Sequence, residues 1–122
     1  MHTVSFIHLE EDDKDLILSF VLDEGGGFIR SLMLHRALFF ESFLPEEERG
    51  TKVTLEGEEL GYEQENLNTL EEFEFAGATL RMRSRFRHYE LDAGKLDPEE
   101  FKAIKQALER QNHDARFQIK FT

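Results

Sequence analysis

The stretch YELDAGKLDPEEFKAIKQAL, from Tyr89 to Leu108, carries the spacing of the second half of a calcium-binding loop. Gly94, Leu96, Asp97, Glu100 and Phe101 stand where an EF-hand places its glycine, its apolar residue, its ninth ligand, its closing glutamate and its first helical aromatic. Such a loop also needs oxygens at its first, third and fifth positions, and these hold Tyr89, Leu91 and Ala93. The same residues fit a helix start without remainder. Asp97 is an N-cap, Pro98 takes the first helical position, and Glu100 at the third completes a capping box. Leu96 and Phe101 have the spacing of a hydrophobic staple, and Phe101, Ile104, Ala107 and Leu108 form one apolar stripe. The spacing predicts a helix over about 98–112, no metal and no cofactor.

A second cluster lies just before it. Arg81, Arg83, Arg85 and Arg87 alternate along LRMRSRFRHYEL, and alternate residues of a strand share a face. Four guanidinium groups in a row could follow a phosphate backbone. Base stacking would need aromatics on that same face, yet Phe86 has the opposite parity and only Tyr89 shares the arginine side. Glu72 and Glu74 are placed to neutralise two of the four. Arg85 and Arg87, with His88 and Tyr89 beside them, remain as candidate binding residues for a protein or a phosphate-bearing ligand.

Other chemistry finds little support. There is no cysteine, so thiolate nucleophiles and cysteine-bound metals are excluded. His2 and His8 share a parity but lie roughly 20 Å apart along a strand, too far to chelate one ion. No serine has the glycine-flanked setting of a nucleophile elbow. The glycines of EGGG, at 24–27, lack a lysine at phosphate-loop spacing and read as a tight reversal. No enzymatic activity is expected.

The formal charge is −11, and because the window 80–88 carries +4, the remainder carries −15. A chain so acidic is repelled by nucleic acid and by anionic membranes. Acidic clusters fall at Glu10–Asp15, Glu46–Glu48, Glu56–Glu65 and Glu71–Glu74. Glu46, Glu47, Glu48, Glu58 and Glu59 are the candidate contacts for a basic protein partner. No apolar run approaches the ~20 residues of a membrane span. The opening MHTVSFIHLEEDD lacks the pattern of a secretory signal, and a cytoplasmic setting is expected.

The elements that must hold these residues alternate in the manner of strands. TVSFIHLE and DLILSFVLD make an antiparallel hairpin, the second strand apolar on both faces and therefore central. Residues 28–44 fit either a helix or a strand through about His35 followed by a helical turn, and the glycines before them favour the strand. TKVTLEG is a strand, and EELGYEQENLN a loop with one helical turn. In LEEFEFAGATLRMRSRF, a turn at Gly77–Ala78 pairs Phe75 with Leu80 and Phe73 with Met82. That register also opposes Glu74 to Arg81 and Glu72 to Arg83, and a one-residue slip would bury the arginines. ARFQIKF closes the fold with Phe117, Ile119 and Phe121 inward.

The expected architecture is α+β over a single domain, 1–122: a largely antiparallel sheet of five to seven strands, the helix on one face, and a closing strand. Leu18, Phe20, Phe73, Phe75, Met82, Phe86, Phe101, Ile104, Leu108, Phe117 and Ile119 are its expected core. The function expected is a small protein-binding module, of inhibitor or immunity type, with an acidic surface. Two alternatives stand beside it. One is a structural protein that self-associates as a homodimer through an edge strand or the apolar run Phe39–Phe43. The other is a binder of a small or phosphate-bearing molecule on the arginine-lined sheet face.

Overall fold

The computed structural model describes residues 1–122, apart from the side chains of Tyr62 and Glu63. Eight strands form one mixed, mostly antiparallel sheet: β1 (His2–Glu11), β2 (Asp15–Asp23), β3 (Ile29–Ala37), β4 (Lys52–Leu55), β5 (Leu70–Ala76), β6 (Thr79–Ser84), β7 (His88–Asp92) and β8 (Gln118–Phe121). A short helix, α1 (Tyr62–Leu67), follows β4, and α2 (Pro98–Gln111) lies between β7 and β8. The order across the sheet is β4-β3-β2-β1-β7-β6-β5-β8. The α+β class, the main helix and the closing strand agree with the sequence. The strand count exceeds the expected range by one.

Local chemistry makes each reversal. The Asp12 carboxylate accepts the N–H groups of Lys14 and Asp15, both at 2.8 Å, and so folds the β1–β2 turn. Asp23 accepts from Gly25 N–H, and Gly25, Gly26 and Gly27 all adopt positive φ before β3 begins. Between β5 and β6 the register is the expected one, with Phe75 opposite Leu80, Phe73 opposite Met82, Glu74 opposite Arg81 and Glu72 opposite Arg83. Residues 28–44 resolve as strand β3 followed by a 3-10 turn at Glu41–Phe43, and a second such turn covers Glu46–Glu48.

Two antiparallel halves, β1–β4 and β5–β7, meet along a parallel seam of only two residue pairs, His2 with Leu91 and Thr3 with Asp92. A second parallel pairing attaches β8 to β5. The sheet then curls back on itself, because Lys52 at the start of β4 bridges Thr69, the residue just before β5. Val53 N–H to Asn68 O at 2.9 Å and Leu70 N–H to Thr51 O at 2.7 Å fasten that contact. The closure brings Phe20 of β2 against Phe73 of β5, with ring centroids 6.2 Å apart.

α2 lies over this interior. Its N-terminus is the expected capping box: Asp97 Oδ1 accepts from Glu100 N–H at 2.8 Å, and Glu100 Oε1 accepts from Asp97 N–H at 3.2 Å. Ile104, Ala107 and Leu108 are buried with Leu18, Phe20, Phe73, Phe75, Met82 and Phe117, while Phe101 and Ile119 pack partly against that core. Two rings expected to face inward lie elsewhere. Phe86 is half-buried in a turn, and Phe121, on edge strand β8, is 64% exposed although it stacks on Phe75.

Candidate protein-binding surface

The arginine row does not lie on one strand. The chain turns at 85–87 and returns as β7, so that Arg81 opposes Glu90 and Arg83 opposes His88. Asn68 holds this turn from β5's approach: its side-chain oxygen accepts from Ser84 Oγ at 2.7 Å and from Phe86 N–H at 3.2 Å. Because the turn shifts the alternation by one, Tyr89 points inward and is buried, not on the arginine face as its parity suggested. Its phenol donates to Glu58 at 2.6 Å. Burial and the Glu58 carboxylate together push that phenol well above its ordinary range.

Arg81 and Arg83 are neutralised as expected, the first by Glu74 and Glu90, the second by Glu71 and Glu72. Arg87 is the third, with its Nε 3.6 Å from Glu58. Arg85 stands apart, with its guanidinium over the Phe86 ring at 5.6 Å. It lines an open groove of about 270 Å³ shared with Glu46, Glu47, Glu71, Arg49 and Arg116, whose charges are mixed. His88 is exposed and borders a separate groove with His2, Glu58 and Tyr89. The structure therefore does not gather Arg85, Arg87, His88 and Tyr89 into one pocket.

The five candidate glutamates divide by role. Glu46 is paired with Arg49 and Arg116, and Glu58 with Tyr89 and Arg87. Among the described residues, the carboxylates of Glu47, Glu48 and Glu59 meet no cation or hydrogen-bond donor; Glu47 and Glu59 are exposed and Glu48 half-buried. The 3-10 turn that carries Glu46–Glu48 packs against α1, and Glu58 and Glu65 line one small groove beside β4. Residues 46–65 hold eight glutamates against Arg49 and Lys52, a charge of −6. More than half of the chain's net charge thus surrounds one short edge strand.

Beneath this surface lies a buried network that the sequence did not announce. Arg36 is 2% exposed, and its guanidinium is shared between Glu41 and Asp114, with a further bond to Gln111 O at 2.6 Å. Gln111, also buried, donates to Leu16 O and Leu34 O and accepts from Thr51 Oγ. Burial alone would lower the Arg36 pKa, but Asp114 and Glu41 more than offset it, so the group stays charged. One signal was present: on a strand, Arg36 shares the inward parity of Leu32 and Leu34 and must find carboxylates there.

Above Arg36 the run Phe39–Phe43 exposes three rings. Phe39, Phe40 and Phe43 are 53%, 59% and 77% exposed, and the first two meet edge-on with centroids 5.1 Å apart. No three His, Cys, Asp or Glu side chains among the described residues are grouped so as to hold a metal ion. No described helix is long and apolar enough to cross a membrane. Set against known families, curated proteins and solved structures, the chain matches none, and its surface must speak for its function.

Proposed function

We propose that this protein is a binding module for a basic protein, and that its acidic β4 margin is the contact. The observation that carries the reading is the charge of −6 over residues 46–65, with Glu47, Glu48 and Glu59 left without partners among the described residues. Elsewhere the fold matches most of its arginines to carboxylates, as at Arg30, Arg36, Arg81, Arg83, Arg110 and Arg116. Clustered carboxylates with no internal cation raise the local negative potential, which speeds encounter with a cationic surface and sets its orientation. The grooves at Arg85 and His88 are open and mixed in charge, which favours a protein contact over an enclosed small ligand.

The test begins with partners captured from the native lysate by cross-linking, each purified and titrated calorimetrically. Glu47→Gln, Glu48→Gln and Glu59→Gln together should weaken a true partner about tenfold at low salt and flatten its salt dependence. Unchanged affinity and unchanged salt slope for every captured protein would remove the proposal.

A further inference from the structure

We infer that Phe39, Phe40 and Phe43 form the apolar anchor of that contact, received by a pocket that the basic partner borders with Lys or Arg. The inference rests on the acidic-module reading and gives the partner a second chemical requirement. Three phenylalanines more than half exposed within five residues are costly for a lone domain, which gains by burying such rings. The chain has not left them loose. Phe39 N–H donates to Lys14 O at 3.1 Å, Phe43 N–H to Phe40 O at 3.0 Å, and Leu44 N–H to Glu41 O at 3.1 Å. Glu41 is turned inward and gripped by Arg36 through two hydrogen bonds, and Gly50 N–H adds a third. Glu41, the charged side chain of the run, is thus fastened beneath the rings, while the rings face outward on a fixed backbone. Pre-ordered aromatic anchors of this kind dominate interface energetics, since little freedom is lost when they dock.

Charge identifies the occupant. Of the four glutamates from Phe39 to Glu48, Glu41 and Glu46 are paired with arginines, which leaves Glu47 and Glu48 as the carboxylates without a cation among the described residues, and Asp12 and Asp13 stand in the turn beside Lys14. Lys14 itself sits over the Phe39 ring at 5.9 Å, showing that this face accepts a cation. A second copy of the chain fits poorly, because a two-fold contact centred on the rings would bring the same carboxylates against each other. The other outward rings, Phe6, Phe28 and Phe121, stand on β1, before β3 and on β8, apart from this group.

Selection of a phage-displayed random dodecapeptide library on the intact protein tests the anchor. The enriched peptides should combine Lys or Arg with Trp, Phe or Leu, and a synthetic winner should bind Phe40→Ser/Phe43→Ser at least tenfold more weakly, the variant's melting point being unchanged. The glutamine triple variant is measured in parallel. Loss on the glutamine set with full binding to the serine pair overturns the anchor and leaves the acidic reading standing. Loss on the serine pair alone overturns the basic character of the partner and the acidic reading with it. A library that yields no enrichment, or a wild-type dimer in sedimentation that the serine pair dissolves, overturns the anchor also.

Discussion

Arg36 and Asp114, 78 positions apart, meet through two parallel hydrogen bonds of 2.6 and 2.7 Å beneath the Phe39–Phe43 turn. The pair joins the end of β3 to the segment that follows α2, and Glu41 completes it from the turn above. Removing the guanidinium would leave the Glu41 carboxylate with the Gly50 N–H alone and the Gln111 carbonyl with no donor. Arg36→Met should therefore lower the unfolding free energy by about 3–5 kcal/mol, the usual range for breaking a buried pair from one side. Urea titration reads this directly, and a loss below about 1 kcal/mol would mean that the network is dispensable.

Acid should weaken the same place. Arg36, with Arg116 beside it, holds the Asp114 carboxyl well below the usual carboxylate range. In the unfolded chain this group takes up a proton near pH ~3.9, whereas the folded protein resists until lower pH. The stabilisation is complete above about pH 5 and is lost as pH falls toward the folded value. Asp114→Asn should flatten the slope of stability against pH between about 4 and 2. Glu72 and Glu74, both depressed, keep some slope in the variant.

At the alkaline end the sign reverses for Tyr89. Its raised phenol pKa means that stability is whole below about pH 10 and declines as pH rises, since the unfolded chain ionises first. Tyr89→Phe should cost about 1–3 kcal/mol at neutral pH by releasing Glu58, and should make the alkaline decline shallower. Urea titration at neutral pH reads the first effect, and unfolding midpoints compared above about pH 10 read the second.

The capping box makes a different forecast. Asp97→Ala should destabilise by about 1 kcal/mol, while Asp97→Asn, which keeps an acceptor for Glu100 N–H, should change only a few tenths. Equal losses in the two variants would show that the charge, not the acceptor, matters. Added calcium should leave the melting point of either unmoved.

Much of the frame is legible in the sequence. The β5–β6 register was determined twice over, once by Phe73, Phe75, Leu80 and Met82 and once by the opposed Glu and Arg, and both patterns are local. The helix start was likewise complete within Leu96–Phe101. What escaped depended on residues distant in sequence. The turn at 85–87 needs Asn68, although the sequence held one trace of it: apolar parity is even at Leu80 and Met82 but odd at Tyr89, Leu91 and Ala93. Nothing near Arg36 names Asp114 as its partner, and no local pattern calls for β1 to lie parallel to β7. Of the candidate surface, Glu47, Glu48 and Glu59 stood out by charge alone. Glu58 could be separated from them only by knowing where the Tyr89 hydroxyl goes.

The narrow join between the two sheet halves has a dynamic consequence. Hairpins hold β1 to β2 and β5 to β6 along six or more residue pairs each, while the β1–β7 ladder has two. Transient opening of the native state should thus begin there, with the halves parting like covers before either hairpin frays. Amides of Thr3 and Asp92 would then trade hydrogen for deuterium well ahead of those at Phe20 or Phe73, and that ordering would mark the protein as two cooperative units held together by α2 and by the β4–β5 closure.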